Sequence, residues 1–72
     1  MIVNLNHIDK LKAFVAIAEQ LNGDVILKSG RYQVNGKSIL GIISLDLTKN
    51  LILELQDEDK YELFDKFVAI NI

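Results

Sequence analysis

The chain has 72 residues, half of them hydrophobic, with a net charge of −2 and no cysteine. So short a chain buries only about 60% of its unfolded surface, which predicts one domain, 1–72, around one modest core. Lack of cysteine excludes disulfide staples, thiolate metal sites and a cysteine nucleophile and fits a cytoplasmic setting, while the acidic balance argues against a nucleic-acid partner.

Residues 1–6 read as a short strand, with Ile2, Asn4 and Asn6 on one face and Val3 and Leu5 on the other. They carry no basic segment, long apolar stretch or small-residue cleavage site, so no export signal is expected. From Ile8 the apolar positions become Ile8, Leu11, Phe14, Val15, Ala18 and Leu21, one stripe of a helix that Asn22-Gly23 is expected to stop. Asn6 followed three residues later by Asp9 resembles a capping box, which puts His7 in the first turn. Residues 24–29 and 31–35 are β-prone runs separated at Gly30 and predict a hairpin.

Ser38 is a good N-cap for a short apolar helix over 39–44, weakened by Gly41 and its β-branched residues and therefore dependent on burial. A turn at Thr48-Lys49-Asn50 leads into a strand over 51–56, in which Leu51, Leu53 and Leu55 alternate with Ile52, Glu54 and Gln56. Asp57 to Asp59 open a last helix with Tyr61, Phe64, Phe67 and Val68 facing the core, ending near Ile70, and its acids form a solvated face. The apolar runs 39–45 and 51–53 fall far short of the roughly 20 residues that span a bilayer, so no membrane insertion is expected. The order β-α-β-β-α-β-α predicts an α+β open-faced sandwich, a four-stranded antiparallel sheet with three helices on one face.

That order, together with Lys37-Ser38-Ile39-Leu40-Gly41-Ile42-Ile43-Ser44-Leu45, resembles the HPr family, the phosphocarriers of the bacterial sugar phosphotransferase system, and specifically the regulated type of low-GC Gram-positive bacteria. The resemblance runs without a gap from about residue 7 to 55, through Phe14-Val15, Asp24-Val25 and Asn35-Gly36-Lys37-Ser38, and beyond that holds only in pattern. It implies a carrier rather than a turnover enzyme. Its implied partners are enzyme I and sugar-specific permease components, or a regulatory kinase or transcription regulator. It also implies two phosphate acceptors: His7, which takes a phosphoryl group for relay, and Ser38, the target of the regulatory kinase. Such chemistry suits the residue types, since a neutral imidazole is a nucleophile and a helix N-terminus offers N–H groups to phosphoryl oxygens.

The family motif continues from histidine through a variable residue to Arg-Pro, whereas this chain reads Ile8-Asp9-Lys10. Asp9 therefore sets a carboxylate where the family has a guanidinium, and Lys10 and Lys12 are the candidates to neighbour a phosphate instead, without arginine's two-pronged grip. The stretch before His7 is also several residues shorter than in the family. Beside each functional reading stands a structural one: His7 as a polar residue of a capped first turn, Ser38 as an ordinary N-cap. Ile39, Leu40 and Ile43 cannot all be buried on so short a helix, and they predict either a partner-docking patch or core packing by two of the three. A lone histidine makes no metal site, and nothing in the chain calls for a cofactor. The alternative function is a family paralogue that has lost the relay and serves as a regulatory protein-binding module. An unrelated small-molecule binder finds no Gly-rich phosphate loop or paired catalytic carboxylates to support it.

Overall fold

In the computed structural model, which describes residues 1–69, the elements run β1 (Ile2–Val3), α1 (Ile8–Ala18), β2 (Val25–Ser29), β3 (Tyr32–Asn35), α2 (Ile39–Ile43), β4 (Leu51–Leu55) and a 3₁₀ helix (Glu58–Phe67). The strands form one sheet in the order β1-β4-β2-β3, every neighbouring pair antiparallel. Register follows the period-two pattern: Val25 pairs with Leu55, Leu27 with Leu53 and Val3 with Leu51, so these six apolar side chains share the face that the helices cover. The opposite face is open and carries Ile2, Ile52 and a Lys28–Glu54 ion pair of 2.9 Å, an exposed contact of small energetic weight. The protein is thus the predicted α+β open-faced sandwich.

Leu11, Phe14, Val15 and Ala18 of α1, Ile42 of α2, and Phe64 and Phe67 of the 3₁₀ helix close the core from above. Phe14 lies at its centre, its ring centroid 5.0 Å from Phe64 and 5.5 Å from Phe67. Two elements, α1 and the 3₁₀ helix, thereby meet on one aromatic cluster above the sheet.

Several element boundaries differ from the sequence reading: β2 and β3 each begin one residue later than expected, at Val25 and Tyr32, β4 ends one earlier, at Leu55, the last helix begins at Glu58, and four element ends move as well. β1 pairs with β4 through Ile2 and Val3, with Leu53 N–H also donating to the Met1 carbonyl; past Val3 the backbone changes partner, and Asn4 N–H donates to the Phe67 carbonyl while Ala69 N–H donates to that of Ile2. The first helix stops at Ala18 rather than at Asn22-Gly23, because Gln20 and Leu21 N–H donate three residues back, tightening the final turn. The free Leu21 carbonyl is then met by the Lys37 ammonium at 2.7 Å, so a glycine in the left-handed region is not needed there. The Ser38 helix ends at Ile43, with Ser44 as its C-cap. The last helix is 3₁₀, ends at Phe67 and leaves Val68 exposed, bridged to Val3. Tyr61, Phe64 and Phe67 are three apart, and a helix of three residues per turn stacks all three on one side. The expected end near Ile70 lies outside the described residues.

Gly30, at φ +58°, makes the tight reversal between β2 and β3 that its position predicts. Gly36 is needed for space: it is buried, its N–H donates to the Val25 carbonyl at 2.7 Å, and an added Cβ would sit 2.5 Å from Val25 Cγ1. Val25 is a core residue with a stiff side chain and cannot swing aside. Gly36→Ala is therefore expected to destabilise the protein by about 2 kcal/mol, read as a lower urea midpoint with an unchanged slope; an unchanged midpoint would contradict the close approach.

Candidate functional site

His7, Ile8 and Ile43 fall at one end of the helical layer, where α1 begins and the end of α2 packs against it, whereas Ser38 starts α2 on the side of the α1 C-terminus. Val3 and Leu5 are buried, which anchors the chain as it turns into α1. His7 is the N-cap of α1 with extended backbone (φ −133°, ψ 139°), exposed, and its side chain makes no capping hydrogen bond. The capping box expected of Asn6 and Asp9 does not form. The helix begins one residue later than that box requires, so Asn6 stands outside it, its Oδ1 accepting from Lys10 Nζ at 3.5 Å and its own N–H donating to Asn4 Oδ1 at 3.1 Å. Among the described residues, no side chain accepts from the N–H groups of Ile8, Asp9 or Lys10, and the first intrahelical bond runs from Leu11 N–H to the His7 carbonyl. The open donors and positive dipole end therefore lie beside the imidazole, with the Asp9 carboxylate in the same first turn.

A shallow cleft of about 150 Å³ joins His7 to both helices through Leu5, Ile8, Leu11, Ile43 and Leu47. Ile43 thus borders the histidine's own surroundings. Ile39, Leu40 and Ile43 are exposed by 44%, 79% and 50%, because the core position of α2 is taken by Ile42. Core packing by two of the three is therefore not what the helix does. Ile8, which periodicity assigns to the core stripe, is 57% exposed and joins this apolar rim. The spacing rule misses it because a residue in the first turn has no preceding turn to pack beneath it. The rim is the kind of exposed apolar surface that marks a docking site.

Ser38 is the N-cap of α2, and its Oγ accepts from Gly41 N–H at 3.1 Å. Gly41 leaves little room for anything larger, since an added Cβ would lie 3.3 Å from Ser38 Oγ. Ser38→Ala is expected to cost about 1 kcal/mol in urea unfolding, and Ser38→Asp, which keeps a capping oxygen, is expected to recover most of it; equal losses would count against the cap. Lys37 turns to the end of α1, its ammonium on the Leu21 carbonyl, rather than toward Ser38. Lys10 lines a separate cavity with Asn4, Asn50 and Lys66, away from the His7 cleft, and Lys12 is exposed further along α1. The structure therefore brings His7, Ile8 and Ile43 together and does not gather the two lysines into their cleft.

Fold and site together define a small one-sided α+β sandwich that presents a histidine at an open helix N-terminus, bordered by the exposed side chains of Ile8 and Ile43. The chain matches the family described as the PTS HPr component phosphorylation site over residues 7–70, and it belongs to that family. No curated protein and no solved structure matches it. Members of the family carry phosphoryl groups within the sugar phosphotransferase system rather than turning over a substrate. No helix of the described residues is long and apolar enough to cross a membrane.

Proposed function

We propose that this protein is a cytoplasmic phosphocarrier-like component of the phosphotransferase system that takes a phosphoryl group on His7 and passes it on through protein contacts. One observation carries the reading: an exposed histidine whose ring is not spent on capping, at a helix start whose N–H groups no side chain occupies. In the transfer a ring nitrogen lone pair attacks phosphorus, the bond from phosphorus to the donor breaks, and the phosphoryl oxygens accept from the first-turn N–H groups. The donor is enzyme I and the acceptor a sugar-specific permease component, both docked on Ile8, Ile39, Leu40 and Ile43, which fit an apolar contact at the interface centre. Labelling by phosphoenolpyruvate and enzyme I, with His7→Ala as the blank, tests the reading.

Asp9 favours a second reading, a paralogue that keeps the docking surface but not the relay. Its carboxylate opposes an incoming phosphoryl group and stabilises the first turn in its absence. Such a protein would act as a regulatory binding module, with Ser38 as its switch: a phosphate on the α2 cap would add negative charge next to Ile39 and Leu40 and displace the bond to Gly41 N–H. Lys37 is held elsewhere and contributes nothing to that phosphate. Incubation with the ATP-dependent HPr kinase tests this reading, and an unmodified Ser38 would overturn it.

A further inference from the structure

A cavity lies away from His7, between the β2–β3 turn and the segment after α2. It measures about 750 Å³, inside the range of roughly 300–1,000 Å³ that small-ligand sites occupy. Its lining combines three kinds of group. Val34 and Leu45 supply half-buried apolar wall, and Tyr32, 68% exposed on the edge strand, supplies an aromatic face with no core to pack into. Arg31 from the hairpin turn and Lys49 from the following loop supply two cations from separate segments. Among the described residues, neither has a carboxylate within ion-pair distance.

Asp46 is the one acid in this lining. Its Oδ1 accepts from Thr48 Oγ1 at 2.6 Å and from Thr48 N–H at 3.1 Å, which closes the carboxylate into its own turn. Those two bonds, followed by the nearby Lys49 charge, hold its pKa below the ordinary carboxylate value. The cavity wall therefore carries a net charge of about +1 on a protein whose net charge is −2, with its cations free to accept a partner.

We propose that this cavity is a binding site for a small aryl anion, the ring lying against Tyr32, Val34 and Leu45 and the anionic group between Arg31 and Lys49. A neutral aromatic would leave both cations unpaired, and a bare anion would leave the apolar wall wet. The site is separate from the His7 cleft and does not depend on phosphoryl transfer. Ser44, the C-cap of α2, lines the same cavity, so an occupant touches the end of the helix that bears Ile39, Leu40 and Ile43.

The test is titration of the ¹⁵N-labelled full chain with phenyl phosphate, followed by amide shifts. Saturable shifts confined to residues 29–34 and 44–50 are expected, with binding at least about tenfold weaker in the Arg31→Gln/Lys49→Gln double variant. Both positions are exposed, so the variant keeps its fold, checked by unchanged signals from α1 and β4. Inorganic phosphate and benzyl alcohol, each carrying half of the ligand's chemistry, are expected to bind more weakly than phenyl phosphate. Shifts that fail to saturate or scatter over the surface, equal binding by the double variant, or equal binding of inorganic phosphate would each overturn the proposal.

Discussion

Phe14→Ala is expected to remove about 3–5 kcal/mol of stability, the largest loss of any substitution considered for this fold. Phe14 is fully buried in the core that α1 shares with the sheet, and its ring meets Phe64 and Phe67 of the 3₁₀ helix. A 72-residue domain has a total stability of roughly 4–11 kcal/mol, so this one truncation removes a large part of it. The 3₁₀ helix should suffer first, because a 3₁₀ run of this length has poor internal hydrogen bonding and is held by its three stacked aromatic residues. Urea unfolding of parent and variant measures the loss, with tyrosine fluorescence reporting on Tyr61, whose hydroxyl accepts from Leu55 N–H. A loss below about 1 kcal/mol would mean that the C-terminal segment does not dock on Phe14.

Asp9→Arg is expected to speed phosphoryl transfer to His7. At about 4 Å in water a unit charge contributes about 1 kcal/mol, so reversing the sign beside a phosphoryl group changes the barrier by about 2 kcal/mol, roughly thirtyfold in rate. The gain comes with a small loss of stability of about 0.5 kcal/mol, because a cation replaces an anion at the positive end of the α1 dipole. Initial labelling rates for the two proteins at equal enzyme I concentration check this, and raised salt should shrink the difference. Unchanged rates would shift the cause of slow transfer from charge to the abrupt passage from β1 into α1.

Most of the fold was legible because burial is periodic. The alternation through β4, the three-and-four spacing of Leu11, Phe14, Val15 and Ala18, and Gly30 between two β-prone runs each define an element by local chemistry alone. What the sequence could not reveal depends on partners distant in the chain. The helix type over Glu58–Phe67 is decided by Phe14 lying beneath Phe64 and Phe67, and the end of α1 by the Lys37 ammonium, sixteen residues beyond Leu21. The placement of His7 and Ser38 at helix starts was legible in the sequence, and the capping role of Ser38 follows from its residue type. The capping box was misread because Asn6 and Asp9 fit its chemistry one residue out of phase with where the backbone turns helical. The rim at Ile8 was hidden by a pattern that counts apolar residues without knowing what lies above them. The cavity by Arg31 and Lys49 has no sequence signature, since its walls come from segments brought together by the sheet edge.

The proposed role of His7, at the open start of α1, as phosphoryl acceptor can be assayed in one reaction. Incubation of the protein with phosphoenolpyruvate and enzyme I, followed by mass spectrometry before and after acid treatment, tests it most directly. One phosphate per chain is expected, on His7, lost in acid and absent from His7→Ala. No phosphate on His7, under conditions that fully label an ordinary HPr, would contradict it.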